Sequence, residues 1–447
     1  MKRRDFLKTA GALAAVCAAP RSLWANISGK SAEEIEALAR DIVAKMTLDE
    51  KIEQMAGVVN LQHTLKRWFD PVDASWIQPG NKKHGVPPLI TVDGPRGVGG
   101  GRPTCFPVGM CRGATWDDIL EEKVGDAIGF EGRAEGYNTV LSPCINVLRH
   151  PSWGRAQETY GEDPLHLGRM GAAHVVGLQR HVLSSPKHFA ANSIENSRFF
   201  VNVKMDERTL REIYLPHFKV CVDAGCATVM SAYNDLNGFL CGQNKHLLTD
   251  ILRNDWGYKY IVISDWVNAV DNATLAANAG LDIEMPRGVN FGKPLKKAVK
   301  EGKVSEETIN AAVTRILRTK FTFIKDGCPK DGYDMKKVAG PEHTRLAYEV
   351  AAKGIVVLKN EGALPLDRGK VKAVAVLGPH ALRANIGDIG SSAVTPRYSV
   401  SPLKGIKSRA GQVKVSFCSG GPRATLLAKK ADAVVVVTGM TFRDEGE

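Results

Sequence analysis

The sequence lacks the short signatures of several common function classes. None of its nine cysteines stands in a CxxC pair, and it contains neither a GxGxxG fingerprint nor a P-loop, so the usual redox, metal and nucleotide motifs are absent. No low-complexity tract or heptad array interrupts it. The formal charge of +12 falls to +8 without the first 25 residues. Because the remaining excess is spread along the chain, no nucleic-acid partner is expected.

The chain has the composition of an ordinary globular protein. It has 447 residues, of which 44% are hydrophobic and 24% charged, and it is long enough for more than one domain. Because this composition does not distinguish one fold from another, the fold is predicted from the alternation of apolar and polar segments.

The N-terminal segment MKRRDFLKTAGALAAVCAAP predicts an export signal. Arg3 and Arg4 precede an apolar stretch too short to span a bilayer, a pattern that resembles a twin-arginine signal peptide. Residues 1–25 are therefore left out of the fold prediction, and a periplasmic or secreted protein is expected. The residues before Cys17 make a poor lipoprotein box, so no stable membrane anchor is expected. Twin-arginine cargo folds before export, which favours buried thiols over disulfides for the other cysteines.

Residues 31–325 alternate short apolar runs with amphipathic helices such as 116–133, 206–224 and 310–322. The apolar runs each end in polar residues: PPLITVDGP, YNTVLSPCIN, VLSSPKHFA, CATVMSAYN and YIVISDW. This alternation predicts an α/β fold with a (β/α)8-type, TIM-like barrel.

A second α/β domain is predicted after a linker at residues 326–341. Residues 342–447 contain a predicted helix over 342–353 and three predicted strands, GIVVLKN, VKAVAVLGP and ADAVVVVTGM. Because the chain stops soon after the last of these strands, we expect this sandwich domain to be incomplete and the chain to be a truncated product or a fragment.

Asp265 is the strongest candidate for a catalytic residue. It directly follows the apolar run Tyr260 to Ile263, and in a β/α barrel the catalytic groups lie where such strands end. The alternative is a helix N-cap, since Asp is preferred just before a helix. Trp266 is either a core residue or an aromatic platform on which a ligand could stack.

Other polar residues follow the ends of other predicted strands, and each also has a structural reading. Asp93 precedes Gly94 and Pro95 and could cap a turn, whereas Arg155 lies near Glu158 and could form a structural ion pair. Agreement among five strand ends favours a site, because chance would scatter polar residues to both ends of the strands.

From about Ile42, in KMTLDEKIEQM, to the C-terminus, many motifs in order resemble glycoside hydrolase family 3, the β-glucosidases and their relatives. The resemblance implies a barrel followed by an α/β sandwich, with the active site between them. It implies that Asp265 of the SDW motif is the nucleophile. The sugar-binding residues that it implies are Asp93 and Arg96 in TVDGPRGV, Arg155 in SWGRAQETYGEDP, Lys187 and His188 in SPKHFAANS, and Tyr233 in VMSAYND, to which we add Trp266.

The general acid/base is expected in the loop TFRDEGE, because the second carboxylate of this family comes from the second domain. Glu445, in its Glu-Gly pair, best matches that site, with Asp444 and Glu447 as rivals. A solvated acidic turn is the structural alternative.

The sequence therefore predicts an exported, retaining exo-β-glycosidase acting on oligo- or aryl-β-glucosides, with no cofactor and no metal. A β-xylosidase and a β-N-acetylglucosaminidase are alternatives, although KHFAANS differs from the KHFPGHG of the latter. A sugar-binding protein without activity is a third alternative. The sequence leaves open whether the protein forms a homodimer.

Overall fold

The computed structural model describes residues 29–59, 75–324, 332–387, 390–441, 443–444 and 446. The signal peptide over residues 1–25 and the acid/base candidates Glu445 and Glu447 lie outside these residues. No helix in the described part combines the length and the apolar character needed to cross a membrane.

The described strands and helices follow the predicted alternation. The strands are β1 (Trp76–Gln78), β2 (Leu89–Asp93), β3 (Thr139–Leu141), β4 (Leu183–Ser184), β5 (Asn202–Val203), β6 (Thr228–Met230), β7 (Asp235–Leu236), β8 (Phe239–Leu240), β9 (Ile261–Trp266), β10 (Ile283–Met285), β11 (Ala373–Leu377), β12 (Lys414–Cys418) and β13 (Ala433–Val436). The α-helices are α1 (Ala32–Lys45), α2 (Leu48–Gln54), α3 (Gly109–Gly113), α4 (Asp118–Glu135), α5 (Pro164–Leu178), α6 (Glu207–Thr209), α7 (Pro216–Asp223), α8 (Ala273–Ala279), α9 (Lys293–Lys300), α10 (Glu306–Phe323), α11 (Pro341–Lys353), α12 (Pro402–Ala410) and α13 (Pro422–Lys429). Two segments are π-helical: Leu210–Tyr214, inside the predicted helical region 206–224, and His246–Asp255.

The first part of the chain contains two larger sheets. One has the order β1-β2-β3-β4, with β1 antiparallel and the others parallel, and the other has the parallel order β10-β9-β6. The central strands are buried on both faces, as their continuous apolar runs require. The strands β5, β7 and β8, in that order, form a small third sheet.

The two larger sheets are linked only by isolated bridges. Phe189 N donates to Met230 O at 2.7 Å, Glu284 N donates to Met55 O at 2.9 Å, and Val58 N donates to Ile77 O at 2.8 Å. The described strands therefore form an α/β structure with mixed sheets instead of the single closed sheet of a regular (β/α)8-type barrel. At the β4 edge the physical reason is Pro186, which has no N–H to continue the ladder after Ser184.

Glycine allows α4 and α5 to lie close together beneath the first sheet. A Cβ at Gly125 would lie only 2.5 Å from the carbonyl oxygen of His174, and one at Gly177 would clash with the carbonyl of Glu122. Because backbone atoms cannot give way as side chains do, these positions accept only glycine.

The second α/β unit contains the parallel sheet β12-β11-β13. Its strands β11 and β13 lie in the predicted segments VKAVAVLGP and ADAVVVVTGM. The prediction of a strand in GIVVLKN is wrong, because residues 354–360 have no strand and Leu358 is 93% exposed. β-Propensity expresses packing against neighbouring strands, and none lies beside this segment in the described structure.

Candidate active site

Asp265 lies at the carboxyl end of β9, as predicted, and is 6% exposed. The backbone N–H of Trp266 donates to Asp265 Oδ1 at 2.8 Å and to the Tyr233 hydroxyl at 3.2 Å. Asp265 begins no helix, so the N-cap alternative is excluded. The hydrogen bond holds the carboxylate at the strand end and brings Tyr233 to the same place.

His188 lies against Asp265 in one fixed protonation state. Its backbone N–H and its ring Nδ1 lie 2.8 and 2.9 Å from Asn146 Oδ1, while Asn146 Nδ2 donates to the carbonyl of His188 at 2.8 Å. Burial, together with the charges of Arg155 and Lys187, holds the pKa of His188 well below its usual value. The neutral ring therefore carries its proton on Nδ1, because an amide oxygen can only accept.

The other ring nitrogen of His188 is consequently an acceptor. Its Nε2 accepts from Arg155 Nη1 at 3.0 Å and lies 3.6 Å from Asp265 Oδ2. The neutral ring therefore adds no positive charge of its own beside the Asp265 carboxylate.

Arg155 is fully buried and forms the structural ion pair that its sequence allowed. Its Nε and Nη2 atoms donate to Glu158 at 2.9 Å each, which is the structural ion pair. Its Nη1 reaches His188, and its Nη2 also donates to Ser391 Oγ at 3.0 Å. The two-pronged bond to Glu158 fixes the plane of the guanidinium. Arg155 thus positions His188 and contacts the second unit at once.

Lys187 and Asp93 form a pair between the segment after β4 and the end of β2, which lie on either side of β3. Lys187 Nζ donates to Asp93 Oδ1 at 3.2 Å, and the side chains are 2% and 23% exposed. The contact holds the two predicted sugar-binding residues together.

Arg96 contacts the second unit. Its Nε donates to the carbonyl of Ser392 at 3.1 Å, and a Cβ at Gly387 would collide with its guanidinium. Gln157 Nε2 also reaches Ser392, through its hydroxyl, at 3.3 Å. Arg96 and Gln157 therefore hold the segment of the second unit at Ser392 against the loops that follow the strands.

Trp266 is partly buried, and its ring packs edge-on against Trp76 with centroids 5.8 Å apart. The expectation of a core residue is confirmed in part, because Trp266 packs against the hydrophobic core. Its use as a stacking platform stays a prediction.

Gly446 lies beside the loop that carries Arg155. Its N donates to the carbonyl of Gly154 at 2.7 Å. Asp444 Oδ2 accepts from the backbone and the hydroxyl of Thr441, at 2.9 and 3.0 Å, and these bonds lower the pKa of Asp444. The carboxylate of Asp444 is thus engaged in a local turn, whereas Glu445 lies outside the described residues.

Several residues of this site were not predicted. Asn146 lies just beyond β3 in the segment YNTVLSPCIN, and its polar side chain beyond an apolar run was a usable signal. Ser391 and Ser392 belong to the second unit, about 200 residues from their partners. No local pattern could have indicated their contacts with Arg155 and Gln157.

Models of known families match most of the chain. The Glycosyl hydrolase family 3 N terminal domain matches residues 32–319, and the Glycosyl hydrolase family 3 C-terminal domain matches residues 355–447. The TAT (twin-arginine translocation) pathway signal sequence matches residues 1–20, which confirms the predicted export signal.

Two curated relatives are similar in sequence. The beta-glucosidase of Rhizobium radiobacter is 38% identical over 380 residues, covering 82% of this chain and 44% of that protein. Thermostable beta-glucosidase B of Acetivibrio thermocellus is 35% identical over 438 residues, covering 91% of this chain and 55% of that protein. The chain thus spans about half the length of the curated relatives it matches.

Two solved structures are similar in fold. Beta-glucosidase 3B from Thermotoga neapolitana, in complex with glycerol, has a TM-score of 0.79 and 31% identity, covering 92% of this chain and 63% of that one. DesR, a beta-glucosidase from Streptomyces venezuelae in complex with D-glucose, has a TM-score of 0.75 and 36% identity, covering 85% of this chain and 49% of that one. With the family models, these similarities confirm the resemblance inferred from the motifs. The chain belongs to glycosyl hydrolase family 3.

Proposed function

We propose that the protein is an exported retaining exo-β-glycosidase that removes terminal β-D-glucosyl or related residues from oligo- or aryl-β-glucosides. The observation that carries this proposal is the carboxylate of Asp265, held by the Trp266 N–H at the end of β9 beside a neutral His188. The relatives named beta-glucosidase support the choice of glucosides.

In this proposal Asp265 attacks the anomeric carbon and forms a covalent glycosyl-enzyme. Glu445 protonates the departing oxygen and then takes a proton from the water that hydrolyses the intermediate. Retention requires the two carboxyl groups to be about 5–5.5 Å apart.

One observation supports Glu445 over Asp444 as the acid/base. A general acid benefits from a raised pKa, whereas the bonds from Thr441 lower the pKa of Asp444. Glu447 remains the other candidate.

We assign sugar binding to the polar groups around Asp265. Asp93 accepts from sugar hydroxyls while Lys187 holds it in place, and Tyr233 and His188 line the opposite side. Arg155 acts through His188 and Ser391, and Trp266 offers an aromatic face. Arg96, whose Nε reaches Ser392, serves the site by holding the second unit.

We also infer that the bridged sheets form a modified barrel of seven parallel strands and one antiparallel strand. The ring runs from residues 56–58 through β1, β2, β3, β4, β6, β9 and β10 and returns through Ala56 and Glu284. The proposal keeps the predicted division into a barrel at 31–325, a linker at 326–341 and a sandwich at 342–447. The expected location is the periplasm or the medium, and a dimer is to be tested by sedimentation.

The proposal is tested by Asp265→Asn in the full-length protein. The amide keeps the size and loses the charge, so hydrolysis of an aryl β-glucoside should fall by several orders of magnitude while the circular dichroism spectrum is unchanged. A 2-deoxy-2-fluoroglucoside should label Asp265 in the wild type. The exposed Asp271→Asn is the matched control. Normal turnover by Asp265→Asn, or labelling of another residue, would refute the assignment, and glucose binding without turnover in the wild type would indicate a sugar-binding protein.

A further inference from the structure

Glu195 contacts two parts of the site: the segment at Trp153, and Arg198, which packs beside Tyr233. Its Oε1 accepts from Trp153 Nε1 at 3.1 Å, and its Oε2 accepts from Arg198 Nη1 at 2.6 Å. The side chains of Glu195 and Arg198 are only 9% and 13% exposed. The carboxylate therefore has a fixed partner on each side.

On one side, Glu195 lies next to the segment that contacts Gly446. Trp153 precedes Gly154, where a Cβ would lie 3.4 Å from Glu195 Cβ and Cγ and would clash with the carbonyl of Gly446. Gly446 N in turn donates to Gly154 O at 2.7 Å. The backbone of Gly446, next in sequence to the acid/base candidate, thus contacts the segment that Glu195 holds.

On the other side, Arg198 packs on the residue that lies beside the nucleophile. Its guanidinium carbon is 4.7 Å from the centre of the Tyr233 ring and 4.8 Å from that of Phe199. The two rings meet edge to face at 4.9 Å. The Tyr233 hydroxyl accepts from Trp266 N, the same group that holds Asp265. These cation-π contacts fix the plane of Tyr233.

We propose that Glu195 and Arg198 form a strut that sets the position of Gly446, the sequence neighbour of the acid/base candidate, relative to the nucleophile. The contacts run from Gly446 through Gly154, Trp153, Glu195, Arg198 and Tyr233 to Trp266 and Asp265. The inference rests on the proposed function. Both residues are positioning residues, because they act through Trp153, Gly154 and Tyr233.

The strut predicts an effect that depends on the leaving group. Proton donation matters most for a poor leaving group, so a displaced acid/base loop should slow cellobiose hydrolysis more than that of an activated aryl glucoside. Loss of fold or of active protein would slow both substrates equally. The ratio of the two rates therefore separates positioning from stability.

The decisive variant is Glu195→Gln, which keeps the acceptor for Trp153 and removes the charge that faces Arg198. We expect kcat/KM for cellobiose to fall at least about tenfold and that for 2,4-dinitrophenyl β-glucoside less than about threefold, with a displaced alkaline limb of the pH profile. The matched control is Glu212→Gln, which breaks an exposed pair with Arg208 and should leave both rates unchanged.

Arg198→Lys provides a second measurement if Glu195→Gln is poorly folded. Lysine keeps the charge but not the planar fork, so the same selective loss is expected to a smaller degree. Equal losses on both substrates, or wild-type rates in both variants, would overturn the strut. If Asp265→Asn is inactive while the strut variants behave as the wild type, only the strut fails. If the wild type hydrolyses no glycoside, the proposed function fails and the strut fails with it.

Discussion

The protonation state of His188 at the candidate site is set by its immediate neighbours. His188 is neutral because it is buried beside Arg155 and Lys187, and Asn146 determines which nitrogen carries its proton. Asp265 accepts from a backbone N–H and lies beside this neutral ring. Chemistry at this scale depends on single hydrogen bonds, so single substitutions can test it.

At the residue scale, Glu445→Ala should separate an acid/base from a structural carboxylate. In the full-length protein, hydrolysis of cellobiose should fall by about 10²-fold or more, while formation of the glycosyl-enzyme from activated aryl glucosides should slow less. Azide needs no general base, so it should restore turnover of the activated substrate and release a β-glycosyl azide.

Asp444→Ala is the matched control for Glu445→Ala, and it should retain activity because the carboxylate of Asp444 is bonded to Thr441. Uniform slowing of all substrates by Glu445→Ala, without rescue by azide, would make Glu445 structural. Glu447 would then be the next candidate.

At the scale of elements, a buried charge network joins two of the loops that carry the site. Arg112 Nη1 donates to Glu121 at 2.5 Å, and its Nη2 bonds to the carbonyl of Pro95, two residues after Asp93. Tyr160 and His174 both bond to the same Glu121 oxygen at 2.7 Å. Since Tyr160 follows the Arg155 loop, the network holds the loops after β2 and β3 against α4.

We expect Glu121→Gln to be strongly destabilising. Burial alone would raise the pKa of Glu121, but Arg112 and His174 outweigh it and hold that pKa below its usual value. Removing this carboxylate leaves the buried charge of Arg112 without its compensating anion, which costs about 3–5 kcal/mol. The free energy of unfolding in urea measures this cost. The neighbouring Glu122→Gln, which breaks a half-exposed pair with Arg180, should cost less than about 1 kcal/mol. Equal costs for the two variants would refute a special role of the network.

At the scale of the whole molecule, buried histidines couple folding to pH. Burial lowers the pKa of His217 to about 3, and the pKa values of His174 and His188 are also lowered, chiefly by burial. Their folded values lie below the unfolded value of about 6.5, so below that pH the unfolded chain binds protons that the folded chain does not. The stability must therefore fall as the pH falls.

We expect the free energy of unfolding to decrease between pH 6.5 and 4, with each such histidine contributing at most about 1.4 kcal/mol per pH unit. His217→Gln removes one of these groups and should make the dependence on pH less steep. Urea unfolding at several pH values measures both slopes. Identical slopes in the wild type and the variant would show that His217 does not contribute.

The strand ends were predictable because their signals are local. A β-branched run such as Tyr260 to Ile263 predicts a buried strand, and a polar residue directly after it, such as Asp265, is placed at the edge where parallel strands end. The same pattern predicted the positions of Asp93, Lys187 and Tyr233. Helix α11 was predicted to within one residue, since periodicity and a proline at the first turn are also local.

Only the tertiary structure decided which of these groups touch. That Lys187 bonds to Asp93, that Arg96 reaches Ser392 and that GIVVLKN stays out of the sheet depend on elements far apart in sequence. Composition and periodicity describe one element at a time, because they arise from the preferences of neighbouring residues. The sequence by itself therefore determined the family, the export signal and the candidate residues. Packing decided their partners, because a hydrogen bond depends on where two distant segments meet.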